Sequence, residues 1–253
     1  ASDIQPREGE EIATELLNTA LLKGAKSKKA KNTLYGGQEW MLSNGVKVVF
    51  IPTEYTKDQI LFDLYKDGGE SIIPDADIAS FDNTIVSLFK SNSGVSGFSG
   101  TQLAKMLTGK NLSINPYLNN LDHGIEGSSN RKDLETALQL LYLFYTDPRF
   151  DPDEYQNGIN QLKAVLPNLE GQPNYKFQKE ANTVLYNNSP RQRMLSMEKV
   201  DEANIQTLEK YYRMLFNDVA GATFVVVGDI DIDTLKPLVE KYLGSLPQGQ
   251  KAL

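Results

Sequence analysis

The chain has 253 residues, enough to bury a large core as one domain or two small ones, and its composition (40% hydrophobic, 23% charged) is that of an ordinary globular protein. Lys and Arg number 26 against 33 Asp and Glu, a formal net charge of -7 that suits a grip on phosphate backbones poorly. There is no cysteine and one histidine, His123, which excludes disulfides, thiolate zinc sites, iron–sulfur clusters, cysteine nucleophiles and any metal centre needing two histidines of this chain.

No stretch approaches the roughly 18 to 20 uninterrupted apolar residues of a membrane span. Ala1 to Glu11 is acidic and polar, unlike a secretory signal. Residues 1–36 differ from the rest. Ile12, Leu16, Leu17 and Leu21 predict a short amphipathic helix over residues 10–22. Lys23, Lys26, Lys28, Lys29 and Lys31 follow. Such a run reads either as a patch for nucleic acid or lipid headgroups or as a solvated linker. Without interleaved aromatic residues the linker reading is favoured. Gly36-Gly37 opens a single domain over 37–253.

That domain begins with strands at Glu39 to Leu42, Val46 to Pro52 and Gln59 to Lys66. The first two are joined by Ser43-Asn44-Gly45, a turn whose Asn-Gly tolerates positive φ. Apolar residues at helical spacing predict a helix from Asp75 to Phe89, and Ser99 or Thr101 starts a short one through Leu107. A second strand pair, Leu112 to Leu118 and Leu121 to Gly127, turns at Asn119-Asn120. Asn130 caps a helix ended by Asp147-Pro148, and Asp151-Pro152-Asp153-Glu154 starts another, to about Leu166. Helices follow from about Asn174 to Tyr186 and after Asp201. Thr223 to Val227 is a strand, and Leu235 to Tyr242 the last helix. The expected fold is α+β: a mainly antiparallel sheet of five to six strands with helices packed on one side.

Chemistry is sparse. Gly94 to Gly100 is rich in glycine but lacks the preceding strand and the lysine of a phosphate loop, and reads as a mobile surface loop. Gly97-Phe98-Ser99 lacks the frame of a nucleophile elbow. His123 is either a general base or lone ligand partnered by a carboxylate, or a hydrogen-bonded strand histidine. Asp229, Asp231 and Asp233 alternate and offer hard oxygen ligands for calcium or magnesium, without the glycine and distal glutamate of a calcium loop. Their plainer reading is a strand end followed by a helix cap at Asp231 or Asp233. An unrelated enzyme built on His123 or on Asp229 and Asp231 is a third possibility.

Three segments carry a family resemblance. They are Leu42-Ser43-Asn44-Gly45-Val46-Lys47-Val48, then Leu134 to Leu141 with Asp147-Pro148-Arg149-Phe150-Asp151, and finally Phe224 to Asp231 with Tyr242-Leu243-Gly244-Ser245-Leu246-Pro247. In this order, over about residues 38–247, they resemble a domain of the zinc peptidases named after insulinase and pitrilysin. Active domains of that family carry His-x-x-Glu-His on the first helix, where two histidines hold zinc and the glutamate activates water. Here that helix, Asp75 to Phe89, has no histidine. The family's third ligand falls near Val165, on the stretch Gly158 to Val165, which has no acid.

The resemblance therefore implies a non-catalytic domain with no catalytic, cofactor-binding or metal-binding residue of its own. Zinc is expected in a catalytic domain elsewhere in the parent. Gly109 to Pro116 with Gly124 to Gly127 looks most like the third domain of bacterial four-domain members, which close as two halves over a peptide. The implied role is a wall of the peptide chamber. Its partners would be the other domains of the parent and the peptide substrate, and its location periplasmic or exported, with the cytoplasm as the alternative. The other reading is a catalytically dead scaffold or binding subunit beside an active peptidase subunit.

Overall fold

The computed structural model describes residues 15–249. Seven strands form one mixed sheet: β1 (Ser27–Asn32), β2 (Gln38–Leu42), β3 (Lys47–Pro52), β4 (Ile60–Asp67), β5 (Leu112–Leu118), β6 (Asp122–Ser129) and β7 (Thr223–Gly228). Their spatial order is β1-β2-β3-β7-β4-β6-β5. The helices are α1 (Asn83–Asn92), α2 (Gly100–Met106), α3 (Leu134–Thr146), α4 (Pro152–Glu170), α5 (Pro173–Leu185), α6 (Met197–Glu202), α7 (Ile205–Leu215) and α8 (Ile232–Tyr242).

The expected mainly antiparallel sheet of five to six strands is thus corrected on two counts. β3 and β7 pair in parallel, from Lys47 opposite Thr223 to Pro52 opposite Gly228. β7 inserts between β3 and β4 after the chain has passed through β4, β5, β6 and a run of helices, and a strand that returns from so far along the chain can run either way, so hairpin signals say nothing of it. The seventh strand is β1, inside the stretch read as a linker. It pairs antiparallel with β2 through a register shift between Lys28 and Lys31. Its lysines sit on the sheet's edge, where charge discourages pairing with a further strand. Lys31 meets Glu39 at 3.1 Å, and Lys47 reaches the same carboxylate at 3.5 Å. Just before β1, Ala25 N donates to Glu240 O (2.9 Å), anchoring the segment to α8. The helix expected over 10–22 begins outside the described residues. Within them, residues 15–22 hold a single 3-10 turn at Thr19–Leu21.

Alternation fixes which face of the sheet is covered. Val48, Phe50, Ile60, Phe62, Leu64, Phe224 and Val226 point one way and are buried, in one core with α3 (Leu138, Leu141), α7 (Leu208, Tyr212) and α8 (Leu235, Val239). Leu61, Asp63, Val225 and Val227 face the other way and stay partly exposed. The Ser43-Asn44-Gly45 turn lies where expected, with Gly45 at φ 91°. Asn44 also turns inward, its Nδ2 donating to Leu243 O at 2.8 Å, so the first hairpin is tied to the end of the last helix.

Two helix starts differ from the sequence pattern. The helix expected over Asp75 to Phe89 is a 3-10 turn at Ile78–Ser80 followed by α1. Asp82, extended at φ -144° and ψ 119°, interrupts it and caps α1 by accepting from Ile85 N at 2.8 Å. Asp201, expected as a cap, lies inside α6. Asn204 caps α7 instead, accepting from the Gln206 and Thr207 amides. The Gly94 to Gly100 loop is packed rather than mobile surface. Val95 is fully buried and bridges both Phe98 and Pro148, and Ser96 N donates to Asp147 O at 3.0 Å.

Candidate functional site

The sequence candidates resolve into structural roles. His123 lies on β6 and is 4% exposed. Its Nε2 donates to Leu215 O (3.0 Å) and its Nδ1 accepts from Gly69 N (3.3 Å). A ring nitrogen that accepts from an amide carries no proton, so the network assigns the neutral Nε2–H tautomer. Burial, with the Lys66 charge adding to it, pushes the imidazole down to about 4. Both nitrogens are committed to backbone groups, and the ring edge packs on Phe216 at 5.1 Å.

The alternating acids do not converge. Asp229 accepts from Asp58 N (2.9 Å) and pairs with Arg131, which together hold its carboxyl below the usual range. Asp231 caps α8, accepting from both the Thr234 amide and hydroxyl at 2.8 Å. Asp233 follows in the first turn, where a carboxylate complements the helix dipole. Among the described residues no group of three or more His, Cys, Asp or Glu comes together to hold a metal. Asp231→Ala is expected to lower the Tm by about 2–4 °C through loss of the cap. Millimolar calcium should raise the Tm of neither form, and calorimetry with and without calcium checks both statements.

The cleft between α1 and α4 brings together the two elements that the resemblance ties to the zinc site. α1 is the helix that would carry the histidine motif, and Val165 on α4 marks the expected third ligand. The two helices face each other across a cleft of about 590 Å³. Its apolar wall is Ile85, Leu88 and Phe89 from α1 with Ile159, Leu162 and Val165 from α4, and Asn92, Thr101, Asn157 and Gln161 add neutral polar groups beside it. Glu154 is the one carboxylate lining it, and Arg149 holds it as an ion pair at 3.5 Å. These residues do not fit zinc, which needs several nitrogen, sulfur or carboxylate donors.

Local sequence explains the cleft's shape. Asp151 caps α4 through the Asp153 and Glu154 amides, and Pro152 fills the first turn. Tyr155 and Ile159, four apart, then face inward, Tyr155 packing edge-on against Phe89 at 5.7 Å. Leu162 and Val165 continue that side outward, and Val165 is 59% exposed. Gly158 sits amid them, and a Cβ there meets no atom within 4 Å. Gly158→Ala should therefore stabilise the chain by about 0.5–1 kcal/mol through the unfolded state, read from urea unfolding.

Sequence reasoning missed the residue on the opposite side of α1. Lys90 is fully buried, donates to Arg149 O, and lies 4.2 Å from the Phe150 ring centroid. Burial pushes its amine down to about 7. A lysine at the end of a helix ordinarily reads as a solvated complement to the dipole, so nothing in the sequence signals this one.

Comparison with known proteins places the fold. Residues 202–252 match the family model of the peptidase M16 inactive domain. The chain is 26% identical over 247 residues to a zinc protease PQQL-like protein of Arabidopsis thaliana, covering 97% of this chain and 23% of that protein. It is 22% identical over 214 residues to the probable zinc protease PqqL of Escherichia coli K12, covering 84% and 22% respectively. The crystal structure of the periplasmic protease PqqL from Escherichia coli superposes with a TM-score of 0.74 at 19% identity, over 98% of this chain and 27% of that one. The chain spans less than a quarter of the length of these curated relatives. Matched near its end by the inactive-domain model and alike nearly throughout to PqqL-type zinc proteases, the chain bears out the resemblance read from its sequence, to a non-catalytic domain of the M16 (insulinase-type) zinc peptidases.

Proposed function

We propose that this chain is a non-catalytic domain of a bacterial insulinase-like zinc endopeptidase. In this reading it forms part of the wall of the peptide-enclosing chamber and supports hydrolysis performed by a His-x-x-Glu-His domain elsewhere in the parent. The carrying observation is the α1–α4 cleft, which stands where the resemblance puts the zinc and is lined by no histidine and a single carboxylate. The lengths of the relatives support it too, since most of each lies outside the matched segment and leaves room for a catalytic part. The place within the parent is that of a third domain, and the compartment periplasmic. The Escherichia coli neighbour is described as a periplasmic protease, while the Arabidopsis relative belongs to a plant. No helix among the described residues is long and apolar enough to cross a membrane.

The chain contributes surface and rigidity rather than chemistry. His123 is locked between two backbone groups, and the cleft's one carboxylate, Glu154, faces the Arg149 guanidinium. The test is to dialyse the purified chain against zinc, then measure bound metal and cleavage of unstructured peptides. The expected results are no tightly held zinc and no cleavage. One zinc per chain, or hydrolysis that a chelator abolishes, overturns the reading. In the parent, deleting this domain should abolish peptidase activity while the catalytic domain keeps its zinc.

A further inference from the structure

The α1–α4 cleft has three features that loss of a metal site does not explain. Leu88 and Val165, large aliphatic residues on its opposite walls, are 46% and 59% exposed. Gly158 lies within a 19-residue helix, where glycine costs about 1 kcal/mol relative to alanine, yet no neighbouring atom requires its lack of a side chain. Two hydroxyl-bearing residues line the cleft while more than nine-tenths buried, Ser93 (2% exposed) and Tyr155 (8%). Neither Ser93 Oγ nor Tyr155 OH has a hydrogen-bond partner within the protein. A buried hydroxyl left unpaired costs about 1–3 kcal/mol, so a ligand that pairs with it recovers binding energy.

We propose that this cleft is a side-chain pocket that takes a neutral apolar residue of an extended peptide, with Ser93 and Tyr155 bonding to the peptide's backbone. The choice of a peptide rests on the chamber reading above, while the form of the occupant comes from the cleft. An extended segment brings an apolar side chain together with free N–H and C=O groups, which is what the aliphatic and aromatic residues of α1 and α4, with two unpaired hydroxyls beside them, can take. A helix from a neighbouring domain brings the apolar side chains but has already spent its backbone groups on itself. Arg149 is shared between Glu154 (3.5 Å) and Asp151 (2.7 Å), so the cleft disfavours an acidic side chain, and its apolar wall favours a neutral one over a lysine that must be desolvated. The volume, about 590 Å³, lies in the range of about 300–1,000 Å³ common to ligand sites.

The test uses the 253-residue chain, isotopically labelled, titrated with acetylated and amidated pentapeptides bearing Phe, Leu, Lys or Asp between glycines. Amide shifts should map to α1 and α4, with Phe and Leu bound roughly tenfold tighter than Lys and Asp. Gly158→Leu, whose side chain enters the cleft without burdening the helix, should weaken the Phe peptide by roughly tenfold while keeping the wild-type unfolding midpoint or raising it. Ser93→Ala and Tyr155→Phe together should weaken it by about threefold to tenfold. Equal binding of all four peptides, shifts away from α1 and α4, or a Gly158→Leu chain that binds like wild type overturns the proposal. So does toluene saturating the same amides when the peptides leave them unmoved. If the parent needs this domain for activity yet Gly158→Leu changes neither binding nor activity, the pocket fails and the domain reading stands. If Gly158→Leu blocks peptide binding in a chain whose parent is active without it, the pocket stands and the domain reading fails.

Discussion

Replacing Asp82 by alanine is expected to destabilise the chain by about 3–5 kcal/mol, measured by urea unfolding at pH 7. Two interactions converge on this carboxylate. It caps α1 through the Ile85 amide at 2.8 Å, and it pairs with Lys199 Nζ at 2.8 Å, the two side chains being 2% and 9% exposed. Lys199 belongs to α6, so the pair fastens the first turn of α1 to a helix more than 100 residues later. Alanine removes the cap and leaves a buried ammonium whose remaining hydrogen bond is to the Arg193 carbonyl at 3.2 Å, with the buried Glu70 as its nearby countercharge. Loss of the direct ion pair dominates, because an N-cap alone contributes only about 1 kcal/mol. The double variant Asp82→Asn with Lys199→Met separates the two contributions. Asparagine still caps, methionine fills the lysine's volume, and the pair's desolvation cost disappears with its attraction. That variant should lie within about 1–2 kcal/mol of wild type. An Asp82→Ala cost below about 1 kcal/mol would show that the pair is solvated and that α1 is held by its apolar face alone.

The same residue shows where the sequence was legible and where it was not. Ile78, Phe81, Ile85, Val86 and Phe89 are all buried, so the periodicity correctly named a core face. It could not show that an extended Phe81 and a capping Asp82 divide the segment, because an aspartate inside a pattern and an aspartate starting one look alike. Hairpins were readable from short-range signals such as Asn44-Gly45. The parallel β3–β7 pair is a long-range choice with no local signature, and β1 was hidden by its lysines, since an edge strand protected by charge resembles a linker. For function, the histidine-free helix and the acid-free stretch around Val165 pointed to the two helices that form the cleft. The cleft itself, with Gly158 over open space and the unpaired hydroxyls of Ser93 and Tyr155, depends on how α1 and α4 meet, and no spacing encodes that.

The stability of wild type relative to a His123→Gln chain should fall by about 2 kcal/mol between pH 7.5 and pH 5. In the folded chain burial holds the imidazole at about 4, whereas in the unfolded chain it titrates at its usual 6.5. Between those values the unfolded state binds a proton that the folded state refuses. Stability therefore rises with pH across this window: the contribution is complete above 6.5, erodes as pH falls through it, and is lost below 4, roughly 3 kcal/mol in all. Glutamine takes up no proton, so its chain lacks this slope. Comparing the two chains also cancels Asp63 and Glu70, whose carboxyls burial pushes up and whose titration works in the opposite direction. The geometry gives the reason for the refusal. Protonation turns Nδ1 into a donor facing the Gly69 amide, itself a donor 3.3 Å away, while Nε2 is already committed to Leu215 O. A catalytic base would need one nitrogen free and a pKa near neutrality, and this ring has neither. A wild-type-to-variant gap that stays constant from pH 7.5 to pH 5 would mean that His123 titrates alike in both states, and the ring would then have to be open to solvent.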